Sequence, residues 1–271
     1  MIRRTLSAAV IAICALAISP SAAAKKAETG FTQIRKEAPV TIKADKAYLL
    51  MRAPKLKSSV FVLRVPTEQE LADYQTAKRA EYDRKKRDEP FEAFVFEWEG
   101  ASNLYELRPT KHYSRPVKDM RVVLAEAPPG DYIVYGIGYN GILSQCHCMG
   151  TVGFTAKAGQ VTDLGTSLIT PAWEPSPYPE LTQEADLGRV ARIDFGLFAA
   201  TIRPANADDT KPALLATLPS QPAQYRAIGP WVDTRRIFAN RLGAVPGVLE
   251  YREGIAFDPK GEKTLRLAET Q

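Results

Sequence analysis

The stretch APPGDYIVYGIGYNG, residues 127–141, decides how this chain is read. Pro128-Pro129-Gly130-Asp131 is turn chemistry, with φ fixed at the prolines and left free at the glycine. The run 132–139 is dense in Tyr, Ile and Val, side chains that suit a pleated, half-buried surface. Asn140-Gly141 follows as a two-residue hairpin signal, because both residues tolerate positive φ. A strand between turns is therefore the local unit, and the neighbouring sequence repeats it. Residues 47–51, 60–65, 93–98, 121–125, 152–156 and 161–164 read as further short strands, and Ala158-Gly159-Gln160 joins the last two. Phe94, Phe96 and Trp98 alternate with Val95, Glu97 and Glu99, as in a strand with one covered face. Short strands separated by regular turns predict a mainly β fold, an antiparallel β-sandwich spanning residues 40–170.

One helix interrupts the strands, over residues 67–89. Thr67 and Glu70 have the spacing of a capping box, with Leu71 and Tyr74 behind them at helical intervals. Glu81 with Lys85, and Asp83 with Arg87, have the favourable i,i+4 orientation. The basic run Arg84-Lys85-Lys86-Arg87 suggests a phosphate patch, but seven acids against six bases between Glu68 and Glu89 make it the solvated face of a helix.

Beyond residue 170 the composition changes. Pro171, Pro175, Pro177 and Pro179 bracket Trp173 and Tyr178 in an extended connector, 171–179, whose aromatics are expected to pack on the sandwich. Residues 180–271 are proline-rich and coil-rich, either an extension wrapped on the first domain or a small second one. Within them, 233–242 reads as a short helix, and 248–252 with 255–258 as a hairpin about Glu253-Gly254.

The chain has 271 residues, 45% hydrophobic and 25% charged, a globular composition. Its first 24 residues read as a secretory signal peptide. Arg3 and Arg4 begin it, residues 6–18 form its apolar segment, and Ala22-Ala23-Ala24 precedes a cut before Lys25. That apolar segment is shorter than the roughly 20 residues that span a bilayer. Removing 24 of 271 residues leaves 247 and takes the net charge from +5 to +3. So small a charge on so long a chain argues against a nucleic-acid partner. The expected location is the periplasm or outside the cell, with no transmembrane helix in the mature chain.

Few residues suit covalent or metal chemistry: two histidines, and three cysteines of which Cys14 lies in the signal. Cys146-His147-Cys148-Met149 is the densest reactive set, and three readings compete. An oxidising compartment and an even cysteine count favour a Cys146–Cys148 disulfide. Two thiolates with His147 or Met149 would instead suit copper or zinc, although strand geometry sets His147 opposite the two sulfurs. The pair is otherwise inert. No cofactor is expected apart from that metal. His112 sits beside Tyr113 and Arg115 and reads as a surface residue rather than a base. Glu97 and Glu99 share a strand face and read as outward charges. Gly136, Gly138 and Gly141 match a dinucleotide fingerprint in letters only, because a strand and turn follow where a helix is required.

The PPG-x-Y strand start at residues 128–132 is followed by Val152-Gly153-Phe154, Ala158-Gly159-Gln160-Val161 and Asp163-Leu164-Gly165. In this the chain resembles exported bacterial proteins with a prealbumin-like or carboxypeptidase-regulatory-like sandwich. The resemblance covers about residues 40–170, implies that fold without catalysis, and transfers no site residues. The resulting expectation is an exported, non-catalytic sandwich protein of the cell envelope that binds another envelope protein or itself. A metal- or redox-responsive protein using Cys146 and Cys148, and a hydrolase, are the other classes considered.

Overall fold

The computed structural model describes residues 30–35, 39–54, 58–85, 88–96, 103–117, 120–139, 152–171, 175–181, 192–193, 198–209, 211–228, 242–252, 255–261 and 263–264. The elements run β1 (Thr32–Ile34), β2 (Ala47–Pro54), β3 (Ser58–Arg64), α1 (Glu68–Lys85), β4 (Leu104–Leu107), a 3-10 turn (Pro109–Lys111), β5 (Ser114–Val117), β6 (Met120–Ala127), β7 (Gly130–Tyr139), β8 (Val152–Ala156) and β9 (Val161–Pro171). They continue as β10 (Arg192–Ile193), β11 (Phe198–Arg203), α2 (Ala213–Ala216), β12 (Ser220–Pro222), β13 (Arg226–Ala227), β14 (Glu250–Arg252), β15 (Ile255–Asp258) and β16 (Lys263–Thr264).

Two sheets make the sandwich. The larger has the order β1-β6-β2-β9-β11-β10, with β5 beside β6 and β12 beside β9; the smaller has the order β13-β8-β7-β3-β4. Most pairings are antiparallel, but β2 and β12 run parallel to β9. Alternation along β2 sends Ala47, Leu49, Met51 and Ala53 into the space between the sheets. There they share one core with Val60, Val62, Leu107, Tyr132, Val134 and Phe154 of the smaller sheet. The mainly β, sandwich reading of the sequence describes this fold.

All eight residues of β2 are buried, which a two-layer sandwich alone does not explain. The outward-facing Tyr48 and Leu50 lie in a second cluster, roofed by Tyr113, Leu215 of α2 and the half-buried Val40 and Ile42. Farther along the same face, Tyr178 and Leu181 of the proline-rich segment cover Leu168 and Ala199. Trp173 lies outside the described residues. The larger sheet is thus covered on both sides, and chain from beyond residue 170 supplies much of the outer cover. The hairpin about residues 253–254 pairs as β14 and β15, with β16 added as a third strand. The expected helix over 233–242 falls outside the described residues except at Leu242.

The capping box closes as expected: Glu70 N–H donates to Thr67 Oγ1 at 3.2 Å, and Thr67 N–H donates to Glu70 Oε2 at 2.8 Å. No residue of α1 is buried. The expected strand over 93–98 is corrected, because Phe91 to Ala93 form a turn and Phe94 to Phe96 make no ladder. The reason is packing. Tyr74 of α1 faces Phe96 at 5.8 Å and Tyr82 faces Phe94 at 5.5 Å, so Phe94 and Phe96 serve a helix rather than a sheet, while Trp98 lies outside the described residues. Phe94 is buried and Val95 exposed, as alternation requires. A periodicity of two reports a covered face without naming what covers it.

Candidate functional site

Where the larger sheet ends at β1 and the smaller at β4, the two edge strands border a cleft of about 400 Å³. Phe31, Thr32, Gln33 and Arg35 line one wall, Leu104, Tyr105, Glu106 and Arg108 the other, and Lys111 of the 3-10 turn closes one end. The Phe31 and Tyr105 rings stack with centroids 4.8 Å apart and planes 2° from parallel. This stack joins the two sheets, since Tyr105 also belongs to the core.

Gln33 fixes the cleft from one side. Its Nε2 donates to the backbone carbonyls of Arg108 and Lys111 at 2.7 and 2.8 Å, and its Oε1 accepts the Arg108 N–H at 3.0 Å. One side-chain amide thereby does for Arg108 what a neighbouring strand would do. The Arg108 guanidinium turns back on the Glu106 carboxylate, Nε to Oε2 at 2.5 Å. Arg35 and Lys111 pair with no carboxylate among the described residues, so the cleft carries an uncompensated positive charge.

A second charged constellation lies on the covered outer face of the larger sheet. Arg52 of β2 donates to both carboxylate oxygens of Asp163 on β9, at 2.8 and 3.0 Å. Asp209 stands 3.7 Å from Arg52, and Lys211 stands 3.8 Å from Asp163. Two positive and two negative groups balance, and Asp163 also accepts the Gly165 N–H at 3.0 Å. Charges spent on one another in this way hold strands together and leave nothing over for a ligand. Burial likewise pushes the Tyr132 and Tyr225 phenols well up from their ordinary range. They donate to the Pro128 and Leu164 carbonyls and are not proton-transfer groups near neutrality.

The remaining expected residues are spread about the molecule. Cys146, His147 and Cys148 lie outside the described residues, as do Glu97 and Glu99. Among the described residues, no three His, Cys, Asp or Glu side chains gather as a metal site would require. His112 is corrected from a surface residue to a half-buried one. It follows the 3-10 turn, and its Nδ1 is buried without a hydrogen-bond partner among the described residues. Arg84 and Lys85 pair with Glu81 at 2.7 and 2.9 Å and do not form a phosphate patch. Those hydrogen bonds, Arg84's first, hold the Glu81 carboxyl down to about 2. The fingerprint-like glycines do not open a nucleotide loop: Gly136 lies inside β7, beside the bulge where pairing shifts between Phe61 and Val62. No helix among the described residues is long and apolar enough to cross a membrane.

Sequence reasoning did not find the cleft, because β1 and β4 have three and four residues, too few to display a period. The available signal was the separation of Phe31 and Arg35 from Tyr105 and Arg108, legible only once pairing is known. Compared with known proteins, the chain matches no family model, no curated protein and no solved structure.

Proposed function

We propose that this protein is exported and acts in the cell envelope without catalysis, by binding a partner in the cleft between β1 and β4. The single observation that carries this reading is the pairing of charge. Among the described residues Arg35 and Lys111 pair with no carboxylate and stand beside a stacked aromatic pair, whereas the buried charges Arg52 and Asp163 consume one another. Cations that lack an internal partner beside apolar rings suit recognition of an anionic group on a partner. Export rests on the signal-like residues 1–24, and kinship with prealbumin-like sandwiches on the motifs of β7, β8 and β9. A Cys146–Cys148 disulfide belongs to the same proposal and predicts no free thiol in the denatured, processed protein.

The test is in intact cells. The full chain is expressed with a photo-crosslinking residue at Leu104, and a control carries it at the exposed Lys157. A processed protein beginning near Lys25, with a discrete adduct at Leu104 and none at Lys157, is expected. An unprocessed cytoplasmic chain, or equal labelling at both positions, overturns the proposal.

A further inference from the structure

Among the described residues, strand β4 has one partner, β3. Its register on β3 pairs Val62 with Tyr105 and Leu63 with Leu104, and the Arg64 N–H donates to the Asn103 carbonyl at 2.9 Å. Opposed residues in an antiparallel pair alternate between hydrogen-bonded and non-hydrogen-bonded. Asn103, Tyr105 and Leu107 therefore direct their backbone groups toward β3, while Leu104, Glu106 and Arg108 direct theirs into the cleft. The Gln33 amide occupies the position at Arg108, as that alternation requires. The outward N–H and C=O of Leu104 and Glu106 meet no partner among the described residues. Two rungs of a ladder are open, and a third is plugged by a side chain.

An open edge with its backbone groups presented is a template for another strand. The ends of this one are charged: Arg35 lines the opposite wall, Lys111 closes the cleft beyond Gln33, and among the described residues no carboxylate pairs with either. Leu104, 40% exposed, offers an apolar contact beside the first rung. We infer that the cleft takes an extended acidic peptide, added as a strand to the open edge of β4 with its carboxylates on Arg35 and Lys111. The Gln33 plug sets where that strand must stop. This rests on the cleft being the partner site proposed above, and it names the partner's chemistry and backbone shape.

The test uses the purified protein and fluorescein-labelled octapeptides of alternating Val and Glu, read by anisotropy. Only alternate residues of an added strand face its neighbour, so two complementary N-methylation patterns separate the edges. One pattern should weaken binding about tenfold or more and the other leave it nearly unchanged. The Val-Lys peptide should also bind about tenfold more weakly. Absence of saturable binding by the Val-Glu peptide overturns the inference. So does equal weakening by both patterns, or a concentration-dependent dimer in sedimentation that the peptide dissociates, which would seat a second copy on this edge. If both patterns bind alike while Arg35→Glu lowers affinity about tenfold, strand addition falls and the cleft survives as a binding site. If the peptide behaves as expected but Leu104 crosslinks to nothing in cells, the broader proposal falls instead.

Discussion

Arg52 and Asp163 meet in a two-pronged hydrogen bond, 2.8 and 3.0 Å long, with 5% and 2% of their side-chain surfaces exposed. The pair fastens β2 to β9 at the point where their register slips: Leu50 lies opposite Asp163, but Arg52 lies opposite Thr166. Removing one partner strands the other charge in a dry site. Arg52→Met is expected to destabilise the protein by about 3–5 kcal/mol, measured by urea unfolding. The double variant Arg52→Met/Asp163→Leu should be more stable than Arg52→Met, because no buried charge is then left alone. A double variant less stable than the single would contradict this account.

The slip depends on Gly165. It has φ of +80°, and a Cβ there would lie 2.1 Å from the Arg203 carbonyl oxygen and 2.6 Å from the Ala205 nitrogen. Gly247 has a similar φ of +68° but open space around it. Gly165→Ala should therefore cost several times the roughly 1–2 kcal/mol expected for Gly247→Ala, whose cost is backbone conformation alone. Thermal unfolding of the two variants side by side checks the difference, and equal losses would refute it.

Glu70 and Glu180 set the expected response to acid. Hydrogen bonds from Arg64 and Arg203 respectively hold their carboxyls below the usual carboxylate range, against an opposing effect of burial. The folded protein thus keeps these groups ionised at a pH where the unfolded chain protonates them. Their contribution is present above about pH 4.3, the ordinary glutamate value, and is lost as the pH falls through the lower folded values. Denaturation midpoints between neutral pH and pH 3 should fall less steeply for Glu180→Gln than for the parent. A parallel pair of curves would show that Glu180 has no such role.

The cap of α1 predicts a local effect. Because the helix buries no residue, removing its cap while the Glu70 hydrogen bond to Arg64 of β3 remains need not loosen the sandwich. Thr67→Ala should cost that helix about 1 kcal/mol, speeding amide exchange over its first turn about fivefold while the urea midpoint hardly moves. A large shift in the midpoint would mean that the helix is coupled to the core.

Much of the sandwich was legible because β2, β3, β6, β7, β8 and β9 are long enough to show β-branched and aromatic enrichment between turn residues. Their partners were less so. Phe198–Arg203 joins β9 along six residue pairs, yet FAATIR has little to set it apart from its surroundings. Ser220–Pro222 pairs with Val161–Asp163 although it contains a proline, tolerable because among the described residues the strand has one neighbour. The cleft was hidden for a different reason. Gln33, Arg35, Arg108 and Lys111 are ordinary surface residues in sequence, and only pairing brings residues 75 positions apart into one hydrogen bond.

The two-sided cover of β9 has a consequence for how the chain is made. One edge of that strand is met by β2, already synthesised, but the other is shared by β11 and β12, which follow it. A nascent chain that has emerged only as far as Pro171 holds its longest strand half-paired, with the outer face of the sheet covered by Val40, Ile42 and Tyr113 but not yet by Leu181 or Leu215. Pairing along both edges of β9 waits for residue 222, and the core between the sheets waits further still, for Leu242, Leu249 and Ala256.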